Sequence, residues 1–195
     1  MKKRILTVLA VLLAVSVLVL SGCAGDSGGS GGDQGASDDQ ADPSGDGSEV
    51  DPYIPNLAFV FTTEDLDGSE LTSEEIFGAS EYTMVNCWAS WCGPCVGELP
   101  ELAKLSEEFA GKGCAIVGVL FDADDPAGLE DGKELLADAG AEYLNVKPWD
   151  SLMTDMNIQA IPTSFFVDRQ GKVVGSIVIG AYPERYTEIL DSLLD

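Results

Sequence analysis

The chain has 195 residues, with 34 Asp and Glu against 10 Lys and Arg, no histidine, and a formal net charge of −24. Such a balance excludes a binder of nucleic acid or of anionic lipid heads and suits a surface that faces water. The missing histidine also removes the commonest metal ligand and general base.

Met1 is followed by Lys2, Lys3 and Arg4, and then by Ile5 to Leu20, apolar but for Thr7 and Ser16. This is a basic n-region and an h-region of 16 residues, short of the roughly 20 that cross a bilayer as a helix. Leu20-Ser21-Gly22-Cys23 stands where an h-region ends and resembles a bacterial lipobox. The resemblance implies a lipoprotein signal peptide over residues 1–22, with Cys23 lipidated and first in the mature chain. An uncleaved signal anchor is the other reading. Both place the rest of the chain on the extracytoplasmic side of a cell membrane, and the first anchors it to lipid through Cys23.

Residues 24–50 are almost all Gly, Ser, Asp, Gln, Ala or Pro, with Val50 the one large aliphatic. Such a segment buries too little apolar surface to offset its ordering entropy. With Cys23 it reads as a disordered tether over 23–50, spanning roughly 30 Å as a Gly-rich coil. Residues 51–195 carry 27 acidic and 7 basic side chains and are one domain's worth of chain.

Within that domain, Ala58–Phe61, a turn at Asp67-Gly68 and Glu70–Thr72 read as a loose hairpin, and Thr72 with Glu75 forms a capping box for a short helix. Tyr82–Trp88 is an apolar run of strand length, and Cys95–Ala110 places Leu99, Leu102, Ala103 and Phe109 at helical spacing before Gly111. Cys114–Phe121 is a second buried strand, Ala127–Ala139 a helix, Tyr143–Asn145 a short strand and Leu152–Met156 a short helix. Ser164–Val167 and Val173–Ile179 flank a turn at Arg169-Gln170-Gly171, and Tyr186, Ile189, Leu190, Leu193 and Leu194 line one face of a helix after Pro183. A βαβ unit followed by a ββα unit gives an α/β domain, a mixed central sheet flanked by helices, with an N-terminal β-hairpin extension.

Val85 to Pro100, VNCWASWCGPCVGELP, holds three of the five cysteines. A structural zinc site needs four N or S ligands, and only Cys87 and Cys114, both in predicted core strands, stand ready to join Cys92 and Cys95. A structural disulfide is open, although so short a loop constrains little of the unfolded chain. A redox pair accounts for more of the pattern. Cys92 falls where a strand stops and a helix starts, so its sulfur meets free amides and the positive end of the macrodipole, which favour thiolate. Cys95, one turn on, is placed to resolve a mixed disulfide, with Gly93 and Pro94 allowing the turn.

WCGPC after Val85-Asn86 and Trp88-Ala89, followed by Ala160-Ile161-Pro162-Thr163, resembles a thioredoxin fold. Together with the Asp67-Gly68 hairpin, Glu98, Pro100 and the lipobox, it is more closely similar to the TlpA/ResA group of membrane-tethered thiol-disulfide oxidoreductases. The resemblance implies Cys92 as nucleophile, Cys95 as resolving thiol, Pro162 as a cis-proline beside them, and Ile161 as a backbone dock for an extended substrate. It also makes Trp91 an exposed contact next to Gly93 and Pro94. Thioredoxins proper carry a buried aspartate where Asn86 stands here. Asn accepts no proton, and Glu98, three residues after Cys95 on one helix face, is the candidate in its place. A solvated Glu98, among Glu101, Glu107 and Glu108, is the plainer alternative. In the thioredoxin strand order Cys87 and Cys114 sit about four residues out of register, roughly 13 Å and too far to bridge, and read as two buried free thiols.

The leading expectation is thus a disulfide reductase that needs no cofactor or metal. Its partners are disulfide-bearing extracytoplasmic proteins and a membrane thiol-electron donor. Peroxide reduction is the alternative chemistry, against which no PxxxTxxC motif stands in the chain, and a lipid-anchored binding module with an inert disulfide is the alternative class.

Overall fold

The structure, a computed structural model, describes residues 57–195; the expected signal peptide, Cys23 and the expected tether lie outside the described residues. In chain order it runs β1 (Thr62–Glu64), β2 (Glu70–Thr72), α1 (Ser73–Phe77), β3 (Tyr82–Trp88), α2 (Gly93–Gly111) and β4 (Ala115–Leu120). Then follow α3 (Pro126–Ala139), β5 (Asn145–Val146), α4 (Leu152–Asp155), β6 (Thr163–Asp168), β7 (Val173–Ile179) and α5 (Pro183–Leu194).

Among the described residues the main sheet has five strands in the order β5-β4-β3-β6-β7, with β3, β4 and β5 parallel and β6 and β7 antiparallel to their neighbours. β3 is central because it is apolar on both faces, every residue from Thr83 to Trp88 being buried. The crossovers β3-α2-β4 and β4-α3-β5 step in one direction along the sheet, so both helices fall on one face. On that face α2 and α5 bury Leu102, Leu105, Phe109, Tyr186, Ile189 and Leu190 against Met84, Ile116 and Phe166. Alternation sends Val85 and Cys87 to the other face, where they meet Phe77 of α1, Leu152 of α4, Phe59 and Trp149. No helix among the described residues is long and apolar enough to cross a membrane.

The thioredoxin-like fold is therefore the one expected, with three local differences. The first arm of the hairpin is Thr62–Glu64, not Ala58–Phe61. Phe59 and Phe61 point inward onto Trp149, the latter stacked at 3.9 Å between ring centroids, while Phe59 N–H donates to Gly171 O beside the β6–β7 turn. That inward packing ties the segment to the main sheet and leaves the hairpin to the polar residues after it. Strand β5 is Asn145–Val146, not Tyr143–Asn145, because its ladder with β4 begins at Gly118 opposite Asn145. Cys114 lies one residue before β4, and Cys87 stands opposite Val119. The offset is thus five residues rather than four, and both thiols are free and buried.

The capping box is present: Thr72 Oγ1 accepts from Glu75 N–H, and Glu75 accepts from Thr72 N–H at 2.9 Å. The hairpin is tied to the sheet edge by a bridge between Asp65 and Val146 and by Lys147 N–H donating to Glu64 O.

Candidate active site

The chain leaves the central strand at Trp88 and enters α2 at Gly93, so the two cysteines fall at the end of the sheet toward which the parallel strands run. Cys92 is the N-cap of α2, and Pro94 stands in its first turn, where its missing N–H costs no hydrogen bond. Cys92 and Cys95 form a disulfide with an S–S length of 2.03 Å. Cys95 N–H donates to Cys92 Sγ at 3.3 Å, so a helix-end amide and the macrodipole both stabilise negative charge on that sulfur. Of the pair only Cys92 keeps any surface, 5 %, while Cys95 is wholly enclosed.

The loop before the cysteines is held from the side. Ser90 Oγ donates to Asp122 Oδ2 at 2.6 Å, and Ser90 N–H points to the same carboxylate, joining the CxxC loop to the β4–α3 loop. Trp91, next to Cys92, is 72 % exposed. Behind it Trp88 is buried and donates from Nε1 to Asn145 Oδ1 at 3.0 Å.

Facing the disulfide is the turn that opens β6. The Ile161–Pro162 bond is cis, and the carbonyl oxygen of Ile161 lies 3.6 Å from Cys92 Sγ. Ile161 is half-buried and Pro162 buried. Gly93 and Pro94 are exposed across from them, so the sulfur, the dipeptide and the Ile161 backbone share one rim.

One turn into α2 from Cys95, Glu98 is on the buried face of the helix, with 4 % of its surface exposed. The solvated alternative is thereby excluded for this side chain, whereas Glu101 pairs with Lys104 at the surface. Asn86 Nδ2 donates to Glu98 Oε1 at 2.9 Å, and the Tyr186 hydroxyl donates to Glu98 Oε2 at 2.9 Å. Burial pushes the Glu98 carboxyl up to about 7, against the downward pull of those two hydrogen bonds. Asn86 Nδ2 also donates to Ser164 Oγ of β6 at 3.0 Å.

Sequence reasoning placed Cys92, Cys95, Glu98, Trp91, Gly93, Pro94, Ile161 and Pro162 as candidates, and the structure gathers them about the head of α2. It missed Tyr186, Ser164 and Asp122. Tyr186 reads as one more apolar contact on the α5 stripe; the available signal was its hydroxyl, which a fully buried tyrosine must satisfy.

A dithiol motif capping a helix, beside an Ile161–Pro162 turn on a five-stranded mixed sheet, defines a redox protein of the thioredoxin-like class. The chain belongs to the Redoxin family, whose model matches residues 49–192. It is similar to the thiol-disulfide oxidoreductase ResA of Bacillus anthracis, 27% identical over 119 residues that cover 60% of this chain and 65% of that one. It is also similar to the thiol:disulfide interchange protein HelX of Rhodobacter capsulatus, 32% identical over 57% of this chain and 60% of that one. Among solved structures, a thiol:disulfide interchange protein of the thioredoxin family from Chlorobium tepidum superposes with a TM-score of 0.59 at 27% identity. The match covers 72% of this chain and 97% of that one.

Proposed function

We propose that this chain is a thiol-disulfide oxidoreductase, tethered through Cys23 to the extracytoplasmic face of a membrane, that reduces disulfides in partner proteins. The observation that carries the chemistry is the Cys92–Cys95 pair at the N-terminus of α2, with the helix amide directed at Cys92 Sγ. The names of the relatives, one a thiol-disulfide oxidoreductase and one a thiol:disulfide interchange protein, support the same chemistry. The tether rests on the lipobox at Leu20–Cys23.

In the reduced protein the Cys92 thiolate attacks one sulfur of a substrate disulfide. A bond forms between Cys92 and that sulfur, and the other substrate sulfur leaves as thiolate. The Ile161 backbone pairs with the substrate strand beside the reacting sulfurs, and exposed Trp91 covers its flank. Cys95 then gives its proton to Glu98 and attacks Cys92 Sγ. The Cys92–Cys95 bond closes, the second substrate thiolate leaves, and two electrons have passed from the dithiol to the substrate. A carboxyl with an affinity near about 7 is matched to taking and releasing that proton near neutral pH. A membrane dithiol donor returns two electrons to the pair.

The test is reduction of insulin disulfides by the full chain, with redox titration of Cys92/Cys95. The Gly93-Pro94 dipeptide and the TlpA/ResA resemblance place the expected potential nearer the roughly −270 mV of thioredoxin than the roughly −120 mV of a strong oxidant. A pair inert to dithiols would leave a structural disulfide, and a potential above about −180 mV would reverse the direction.

A further inference from the structure

Behind the disulfide, hydrogen bonds link four side chains from four elements in a buried polar chain. Asn86 of β3 donates to Glu98 of α2 and to Ser164 of β6, and Tyr186 of α5 donates to Glu98. At its Tyr186 end the chain continues: the hydroxyl also lies 3.2 Å from the carbonyl oxygen of Gly180. Gly180 directly follows β7, and its N–H donates to Pro162 O at 2.8 Å. Hydrogen bonds thus lead from Glu98 through Tyr186 to the Gly180 carbonyl, and the N–H of the same residue holds the turn that faces Cys92.

The count of protons makes that line bistable. A phenol carries one O–H and accepts at its oxygen. Two acceptors, Glu98 Oε2 and Gly180 O, face that single proton. An ionised Glu98 is the stronger acceptor and takes it. A protonated Glu98 turns donor toward Tyr186, and the phenol proton is released to Gly180. The groups that face Glu98 are Tyr186 from α5, Asn86 from β3 and, at longer range, Tyr143 from the α3–β5 loop. Burial and the nearby carboxylate push both phenols up, so neither competes for charge near neutral pH.

Resting on the functional reading above, we infer that the Tyr186 hydroxyl is a positioning group that reports the charge of Glu98 to the Ile161–Pro162 turn. It gives its proton to the carboxylate when Glu98 is ionised and to the Gly180 carbonyl when Glu98 is not. Substrate dock and proton acceptor are then coupled through one residue: uptake of the Cys95 proton by Glu98 changes the hydrogen bonding of Gly180, whose N–H holds the turn that faces the substrate.

The test is a pH titration of the oxidised, carbon-13-labelled full chain by NMR, following the Glu98 carboxyl and the Gly180 carbonyl. In the unmodified chain the two should share one midpoint. In Tyr186→Phe the Gly180 response should vanish and the Glu98 midpoint rise by about one pH unit, since a hydrogen bond to the ionised form is lost. Glu98→Gln, which leaves the phenol in place, should also abolish the Gly180 response and keeps the test decisive if the Phe variant is poorly folded. A Gly180 carbonyl that does not titrate, or that titrates unchanged in either variant, overturns the inference. Insulin reduction by the unmodified chain is measured alongside. Its absence overturns the functional reading while the titration still decides the relay, and activity with a silent Gly180 does the reverse.

Discussion

Asn86 Nδ2 donates to Glu98 Oε1 at 2.9 Å, from the central strand to the helix that carries both cysteines. Where thioredoxins proper place a carboxylate on the strand, this chain has an amide there and a carboxylate on the helix, and the one holds the other. Asn86→Asp should therefore put two carboxyls in contact, able to bear one charge between them near neutral pH. We expect two separated titration steps in place of one, the upper above about 7, by NMR of the labelled carboxyls. A single unshifted step would mean that the new carboxylate turns away from Glu98.

Glu98→Gln should keep the fold and both thiols yet slow the resolution of a Cys92 mixed disulfide by about a hundredfold, the lower range for a lost proton acceptor. Stopped-flow release of a chromogenic thiol gives the rate. Glu101→Gln, at a side chain that pairs with Lys104 in solvent, is the control and should lie within a factor of two of the unmodified chain. Equal rates in the two variants would move the proton to another acceptor.

Glu98 also leaves a signature on stability. Its affinity is raised from 4.5 to about 7 on folding, so the native state binds this proton more tightly than the unfolded chain. Stability from this source is complete below about 4.5, declines as the pH climbs through about 7, and then stays low. The decline is on the order of 3 kcal/mol. Urea unfolding of the unmodified chain and of Glu98→Gln should give a difference that changes across that window and is flat on either side.

Cys95→Ser should accumulate covalent adducts with disulfide-bearing proteins, and Cys92→Ser should not, because only the Cys92 sulfur sits at the helix N-terminus with any exposure. Non-reducing gels of the membrane fraction read the result. Adducts on the Cys92→Ser chain would exchange the two roles.

Cys23→Ala should release the domain from the membrane or leave its precursor uncleaved, while the soluble domain retains exchange activity. Mass spectrometry of membrane-extracted protein should find a lipid on Cys23; an unmodified thiol there would refute the anchor.

The βαβ–ββα order and the place of the cysteines were legible because apolar runs, Gly punctuation and WCGPC are local signals. The hairpin arm was not, since Phe59 and Phe61 look like a strand until Trp149, nearly ninety positions later, is seen to receive them. Glu98 was legible by its spacing from Cys95, yet whether it met water depended on α5, which closes over it with Tyr186. Contacts between residues 98 and 186 leave no trace in either local pattern.

The five-residue stagger between Cys87 and Cys114 narrows what oxidation can do to the folded chain. Cys87, Cys92, Cys95 and Cys114 can be joined in three full pairings, and an unfolded chain meeting an oxidant samples them all. Once β3 and β4 zip in register, the two spare sulfurs are locked roughly 16 Å apart along parallel strands, and a Cys87–Cys114 crosslink becomes geometrically barred. In a chain whose sheet has formed, the two spare thiols are thus kept from each other and from solvent, and the bond that is closed is the one at the helix end.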